Sequence, residues 1–307
     1  MKHKKKIILL AGPTASGKSK LAIKLAEQLN GEIINADSMQ VYKEISILTS
    51  RPSVSDLKKV KHHLYGFKSI TNEFSSGDWL QLATIKIKNL LKSNKTPIVV
   101  GGTGLYFKSL TDGLVKIPNI PIALRKEIRD LHIKIGQKEF YKKLLKLDPL
   151  SKNFVINTDS QRSMRAYEVK KFTKNSLSIW IKKTKSNFNN KLFINFFINP
   201  PRELLYKSIN YRVEKMFREN VLNEVINLKN KNIRNKLYAN NIIGMKEIKD
   251  YLDNKNTLTD TKELIKIRTR QYSKRQFTWS RGHMKSWNKL YSSNLRDLSR
   301  QIIIKIS

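Results

Sequence analysis

Eight residues near the start of the chain carry the clearest chemical signal in the sequence. The segment GPTASGKS fits the pattern G-x-x-x-x-G-K-[ST] and consists of Gly12, Pro13, Thr14, Ala15, Ser16, Gly17, Lys18 and Ser19. It follows an apolar run and precedes a helical pattern, a context in which backbone N–H groups and a helix N-terminus bind phosphate. We expect Lys18 to place a positive charge on the phosphates and the Ser19 hydroxyl to bind Mg²⁺.

This loop indicates phosphate but does not specify a nucleotide. Nucleotide hydrolases usually carry an Asp at the end of a core strand for Mg²⁺, whereas the apolar run at 98–100 leads into Gly101–Gly102–Thr103. Asp37 is therefore the nearest acidic residue, and its position fits a metal ligand or a substrate base equally well. Asp37 and Ser38 are also preferred helix N-cap residues, and on residue type alone a cap is the more common role.

Alternating strand and helix patterns indicate how these residues are positioned. Apolar runs predict strands at Ile7–Ala11, Glu32–Asn35, Ile98–Val100 and Leu192–Ile198. Helical periodicity predicts helices at 18–29, 79–91, 125–147, 161–172 and from about Arg202 onward. We therefore expect an α/β fold with a P-loop-type parallel sheet, helices on both faces and a basic helical C-terminal part.

The domain organisation follows from a change in pattern near residue 115. Pro118 and Pro121 interrupt the alternation, and charged helical segments follow. We predict a helical insertion at 116–190 within a catalytic core formed by 1–115 together with 191–307.

Composition narrows the possible functions. The 307 residues include no cysteine, which excludes disulfides and thiolate metal sites. No apolar stretch approaches the length of a membrane span, so we expect a cytoplasmic protein, and we expect it to be a monomer. The formal net charge of +37 favours a polyanionic partner, although a compositional bias toward Lys would produce the same excess.

Several segments together resemble the bacterial tRNA dimethylallyltransferases. They are GPTASGKS (12–19), NADSMQVYK (35–43), PIVVGGTGLYFKSL (97–110), DSQRSMRAYEV (159–169), IGMKE (243–247) and RQYSKRQFTWSRG (270–282). They occur in the family's order and cover nearly the whole chain. The resemblance implies that a dimethylallyl group passes from dimethylallyl diphosphate to the N6 amine of the adenosine 3′-adjacent to the anticodon in tRNA, with release of diphosphate.

The same resemblance implies roles for individual residues. Asp37 corresponds to the acid that takes or hydrogen-bonds the amine proton, Thr103 lies beside amine and donor, and 14–19 hold the donor. The chemistry of the transfer itself calls for Lys18, the loop amides, Mg²⁺ and Arg212 to neutralise the departing diphosphate. The residues expected to contact the anticodon stem-loop are Asp37, Ser38, Met39, Gln40, Thr103, Arg125, Gln161, Arg162, Ser163, Met164, Arg165 and Lys246.

Departures and rival interpretations remain open at this level. The family's YKG reads Tyr42–Lys43–Glu44, and its GTAKP-like segment reads LTSRP at 48–52, which changes loop glycines but no chemical residue. A P-loop small-molecule kinase would transfer phosphate without RNA, and a non-catalytic RNA-binding ATPase-like module would bind RNA without turnover. Arg162 and Arg165 share one helix face, which suits phosphates but also suits a solvated surface. We interpret His62–His63 as structural and Trp279 as a core residue.

Overall fold

The computed structural model describes residues 6–229, 242–292 and 294–306. The chain divides into two compact units. The larger unit comprises Met1–Thr111 and Phe188–Ser307 and contains the sheet, whereas the smaller unit, Asp112–Asn187, is helical.

A parallel sheet forms the centre of the larger unit. In the described residues its strands are β1 (Ile7–Ala11), β2 (Gly31–Asn35), β3 (His62–His63), β4 (Thr96–Gly101), β5 (Phe193–Ile198) and β6 (Asn288–Leu290). Their order is β3-β2-β4-β1-β5-β6, and each neighbouring pair is parallel. All residues of β1 are buried, as expected when helices cover both faces. The carboxyl ends of β1, β2 and β4 therefore meet at one edge, where ligands of such sheets bind.

Helices connect and cover these strands. In chain order they are α1 (Lys18–Gln28), α2 (Val54–Lys59), α3 (Ser76–Lys92), α4 (Gly104–Thr111), α5 (Ile122–Leu147), α6 (Ser160–Thr173), α7 (Leu177–Lys182), α8 (Arg202–Arg218), α9 (Val221–Lys229), α10 (Met245–Leu252), α11 (Leu258–His283) and α12 (Leu295–Ile306). The predicted α/β class is confirmed. None of the helices in the described ranges is long and apolar enough to cross a membrane.

One core lies between the sheet and the pair α1 and α12. The apolar face of α1, including Leu21 and Leu25, packs with Ile8 and Leu10 of β1. Ile302 of α12 joins the same cluster. Burying these side chains contributes roughly 1.5–3 kcal/mol each, and it fixes the start of α1 relative to the end of β1.

A second core anchors the loop that follows β2. Val41 and Ile45 of this loop are fully buried against Val213 and Met216 of α8 and Ile248 of α10. Loops seldom carry so many buried apolar side chains. This loop is therefore packed into one core with the C-terminal helices α8 and α10.

Packing also supports the sheet edge from the side of α3. Trp79 is fully buried, and its Nε1 donates to the Asn35 carbonyl at the end of β2 across 2.7 Å. Its ring stacks on Tyr106 of α4, with centroids 4.1 Å apart. The ends of β2 and β4 are thus tied to the same aromatic pair.

The smaller unit packs α5, α6 and α7 around its own core. Ile128, Phe140 and Leu144 of α5 are buried with Ala166 and Val169 of α6. The predicted helix from 125 to 147 has a break at Gly136, where φ is 74° and ψ is 166°. Glycine adopts this conformation readily, and the break lets the two halves of α5 follow different directions.

Candidate active site

The loop between β1 and α1 forms a tight turn at the carboxyl edge of the sheet. A Cβ at Gly12 would come within 3.2 Å of the Ile198 side chain at the end of β5, so this position suits glycine. Ala15 and Gly17 both have positive φ, 62° and 82°. Residues with positive φ that alternate with residues of negative φ turn successive N–H groups to one side, as in anion-binding nests. Helix α1 begins directly after this turn, at Lys18.

Lys18 curls back over this loop. Its Nζ donates to the Pro13 carbonyl across 3.1 Å. Burial lowers the pKa of Lys18 to about 8, the negative charge of Asp37 opposes that shift, and the positive charge of Arg212 adds to it. The ammonium group is thus partly desolvated and interacts electrostatically with a carboxylate and with a second cation.

Arg212 reaches the loop from α8. Its Nη1 donates to Thr14 Oγ1 across 2.6 Å, and its Nη2 donates to the Leu48 carbonyl across 3.2 Å. Burial lowers the pKa of Arg212, while the Asp37 charge raises it. A guanidinium remains protonated under all ordinary conditions. Two cations with little mutual screening therefore border the loop, an arrangement suited to a multiply charged anion.

Asp37 lies two residues beyond β2 in a turn. Its N–H donates to Asn35 Oδ1 across 2.8 Å, and its Oδ1 accepts from the Met39 N–H across 2.9 Å. The helix-cap interpretation is wrong, because the next helix in the described chain begins at Val54 and is capped by Ser53. The carboxylate instead stabilises an Asx-type turn through its Oδ1.

The β4 loop brings Thr103 to the same turn. Thr103 Oγ1 accepts from the Ser38 N–H across 3.0 Å, and Thr103 N donates to the Ala36 carbonyl across 3.1 Å. A Cβ at Gly101 would overlap the Ala36 backbone, so glycine permits this approach. Asp37, Thr103 and Lys18, predicted from separate motifs, are therefore grouped with Arg212 at one edge of the sheet.

Three tyrosines interact electrostatically with Asp37, and no pattern in the sequence indicated that they would be grouped. Burial raises the pKa of Tyr65, of Tyr106 and of Tyr272, and the charge of Asp37 adds to each shift. All three hydroxyls therefore stay protonated near neutral pH. They come from the β3 loop, α4 and α11, so they converge from distant parts of the chain.

Asn35 is a second residue that sequence reasoning missed. It is fully buried, and its Nδ2 donates to the carbonyls of Asp37 and Leu64, each across 2.9 Å. With the Asp37 N–H bonded to its Oδ1, this side chain clamps the backbone of Asp37 from both sides. An Asn at the end of a strand next to a turn is the signal that could have found it.

Glu224 of α9 stabilises the loop at residues 46–48, in which the Leu48 carbonyl accepts a bond from Arg212. Its carboxylate accepts from the N–H groups of Ser46, Ile47 and Leu48 at 2.7–2.9 Å. The same loop accepts a bond from Gln40 Nε2 at the carbonyl of Thr49 across 2.8 Å. No local pattern distinguishes Glu224 from other helix-surface glutamates, so the sequence alone could not identify it.

The remaining larger-unit predictions fall on the helices that follow. Lys246 is exposed on α10. Trp279 is half-buried rather than fully in the core, and its ring stacks on His283 with centroids 4.0 Å apart. His63 Nε2 contacts Glu32 Oε2 at 2.6 Å, which fits the structural interpretation of His62–His63.

The smaller unit contains the other predicted RNA-contacting residues. Gln161 and Arg162 are exposed on α6, and Arg162 pairs with Asp159 at 3.1 Å. The side chain of Ser163 is fully buried and donates to the Asp159 carbonyl. The other members are partly buried, namely Arg125 on α5 with Met164 and Arg165 on α6. Their RNA contacts stay a prediction.

These features are those of an α/β protein with a phosphate-type loop and an acid at the carboxyl edge of its sheet. The family model for IPP transferase matches residues 40–283. The tRNA dimethylallyltransferase of Pelagibacter ubique (strain HTCC1062) is 50% identical over 290 residues, 94% of this chain and 93% of that protein. That of Rickettsia canadensis (strain McKiel) is 44% identical over 97% of this chain and 92% of its own length. The chain therefore belongs to the IPP transferase family, and the resemblance seen in the motifs is confirmed.

Solved structures agree with this assignment. A tRNA isopentenylpyrophosphate transferase from Staphylococcus epidermidis superposes with a TM-score of 0.70 at 28% identity and covers 99% of each chain. A eukaryotic dimethylallyltransferase acting on tRNA superposes with a TM-score of 0.84 at 29% identity, covering 97% of this chain and 78% of its own.

Proposed function

We propose that this protein transfers a dimethylallyl group from dimethylallyl diphosphate to the N6 amine of the adenosine 3′-adjacent to the anticodon in tRNA. The observation that carries the proposal is the convergence of Lys18, Arg212, Asp37 and Thr103 at one sheet edge. The names of the relatives support the same reaction.

The donor diphosphate would occupy the loop 12–19. Lys18 and Arg212 supply two positive charges there, and the N–H groups of the turn and of the first turn of α1 supply hydrogen-bond donors. Because both cations are partly desolvated, their attraction for a diphosphate is stronger than in open solvent. This arrangement favours the leaving group as its charge grows.

The acceptor amine would approach from the side of Asp37. A bond forms between N6 and C1 of the allylic group as the C1–O bond breaks, and the electron pair leaves with the diphosphate oxygen. The nitrogen loses a proton to the Asp37 carboxylate, as in general base catalysis. The Thr103 hydroxyl accepts from the N–H of Ser38, the residue after Asp37. Thr103 would therefore help to position the amine relative to the donor.

Mg²⁺ fits the donor site through the substrate rather than through a protein cage. In the described ranges, no group of three His, Cys, Asp or Glu residues is placed to hold a metal ion. Ser19 is exposed in the first turn of α1, and Mg²⁺ commonly binds through a few protein oxygens plus substrate phosphates. The ion would supply charge neutralisation for the diphosphate, with Ser19 as its protein ligand.

Binding of tRNA would use both units. We propose that the helical insertion, with Arg125 and residues 161–165, and Lys246 on α10 contact the anticodon stem-loop, where Arg and Lys position phosphates. The kinase alternative is not favoured, because both curated relatives named above are dimethylallyltransferases.

The decisive experiment replaces Asp37 by Asn. Asn keeps the oxygen that accepts from the Met39 N–H, so the turn should persist while the negative charge disappears. With transcribed tRNA and labelled dimethylallyl diphosphate, we expect wild-type protein to label the RNA. The Asp37→Asn single-turnover rate should fall by on the order of 10²-fold or more at saturating substrates.

A matched control removes a charge elsewhere. Asp56→Asn changes the half-buried capping-box residue of α2, whose bonds in the described chain are to Ser53, and should leave the rate within about twofold. No labelled RNA with wild-type protein would refute the proposed reaction. A near-normal Asp37→Asn rate, with deamidation excluded by mass spectrometry, would refute the role of Asp37 alone.

A further inference from the structure

Gln276 of α11 joins the two loops of the candidate site. Its side-chain Oε1 accepts from the Thr14 N–H across 2.8 Å, and its Nε2 donates to the Gly102 carbonyl across 3.0 Å. The residue is only 8% exposed. One amide therefore satisfies a donor in the phosphate-type loop and an acceptor in the β4 loop. Thr14 and Gly102 lie 262 and 174 residues before Gln276 in the sequence.

The β4 loop is shaped to receive this helix. A Cβ at Gly102 would overlap Gln276 Nε2, and a Cβ at Gly104 would overlap the indole of Trp279. Gln276 and Trp279 are three residues apart, so they lie on the same face of α11. The glycines on either side of Thr103 thus make room for two side chains of one helix.

The two bonded loops carry the two halves of the reaction. In the phosphate-type loop, the Thr14 hydroxyl accepts a hydrogen bond from Arg212. In the β4 loop, Gly102 directly precedes Thr103, whose hydroxyl accepts from the N–H of Ser38, the residue after Asp37. We propose that Gln276 is a positioning residue that sets the separation between the bound diphosphate and the acceptor amine. This proposal rests on the proposed transfer reaction.

The expected effect is on the chemical step. Alkyl transfer requires the amine nitrogen and the allylic carbon at near-attack distance, and a displacement of about 1 Å can cost about 10²-fold in rate. Gln276→Met keeps the length of the side chain and removes both bonds. We expect its single-turnover rate at saturating substrates to fall about 30- to 100-fold, with dissociation constants for donor and tRNA within about threefold of wild type.

A second variant tests the bridge itself. A carboxylate from Gln276→Glu still accepts from the Thr14 N–H but repels the Gly102 carbonyl, whereas a protonated carboxyl can accept at one oxygen and donate at the other. Burial against a carbonyl raises the pKa of such a carboxyl, while the cations Lys18 and Arg212 at the Thr14 loop and the Tyr272 hydroxyl, which bonds to this side chain, limit the rise. The rate of Gln276→Glu relative to wild type should therefore rise at least tenfold as the pH falls from 8 to 5.5. Dividing by the wild-type rate at each pH removes the pH dependence that the two proteins share.

The matched control is Gln301→Met on α12, where the amide bonds to Asp297 within the same helix. It should leave the single-turnover rate within about twofold. A Gln276→Met rate within threefold of wild type, or a Gln276→Glu ratio independent of pH, would overturn the proposal. Wild-type protein that labels no tRNA would refute the transfer reaction instead, so the two failures are distinguishable. Should Gln276→Met not fold, the pH profile of Gln276→Glu decides the question.

Discussion

The lowered pKa of Lys18 predicts an unusual pH dependence for donor binding. A lysine with an ordinary pKa near 10.4 stays protonated throughout the range from pH 7 to pH 9. Lys18 has a pKa of about 8, because it is buried at the loop and next to Arg212, with only Asp37 opposing the shift. Donor affinity should therefore decrease between pH 7 and pH 9. In the same pH range, a phosphate-binding lysine with an ordinary pKa would leave the affinity constant.

The size of the effect follows from linkage. The diphosphate favours protonated Lys18 and raises its pKa in the complex, so the apparent dissociation constant grows with the unprotonated fraction of free protein. For a Lys18 pKa of about 8, deprotonation multiplies the apparent dissociation constant by about 1.1 at pH 7 and by about 11 at pH 9. We expect donor affinity to weaken about tenfold, or roughly 1.4 kcal/mol, across this interval. The donor contributes no titration of its own there, because its last phosphate ionisation lies near pH 6.

The assay is calorimetric titration with dimethylallyl diphosphate in the presence of an anticodon stem-loop whose reactive adenine is replaced by purine, which lacks the amine. Lys18→Arg provides the control, since a guanidinium stays protonated over the whole range and its donor affinity should not change with pH. Constant affinity of the wild type between pH 7 and pH 9 would refute the reasoning. An equal slope in Lys18→Arg would assign the titration to another group.

Two further predictions concern positioning and RNA binding. Asn35→Asp should lower the free energy of unfolding by about 2–4 kcal/mol at pH 7, because the carbonyls of Asp37 and Leu64 lose their donor. A buried carboxyl has a raised folded-state pKa, so urea melts should show a smaller loss at pH 4; an equal loss at both pH values would contradict this account. Arg162→Ala and Arg165→Ala should each reduce the salt slope of tRNA binding by about 0.7–0.9 in filter binding. Unchanged slopes would mean that the pairs with acidic residues on α6 are the main role of these arginines.

Local patterns were sufficient where the chain makes its own signal. The apolar run at 7–11 predicted β1, because a strand buried on both faces is apolar throughout. The helical spacing of apolar residues after Lys18 predicted α1, because a helix buried on one face is apolar on that face alone. The parallel connection then implied that Asp37 and Thr103 reach the same edge as the loop. That grouping is what the structure has, with Thr103 bonded to Ser38.

Other features could not be predicted because their causes are distant in sequence. Asp37 and Ser38 have the composition of a helix cap, yet Asn35 binds the Asp37 backbone and the following loop is buried against α8 and α10 instead. The break at Gly136 depends on how the two halves of α5 pack on the smaller core. The bridge made by Gln276 leaves no periodic trace, and its nearest signal is the pair of glycines around Thr103.

The electrostatics of the site link the two ends of the proposed reaction. Before transfer, Asp37 is the charge that most favours protonated Lys18, and it also stabilises the guanidinium of Arg212. In the proposed reaction Asp37 would accept the amine proton, and its negative charge would disappear as the diphosphate gains charge on leaving. The attraction of both cations for Asp37 would then be directed to the leaving group instead. The carboxylate would thus contribute twice, first as the proton acceptor and then by ceasing to compete for Lys18 and Arg212, because it interacts electrostatically with both cations.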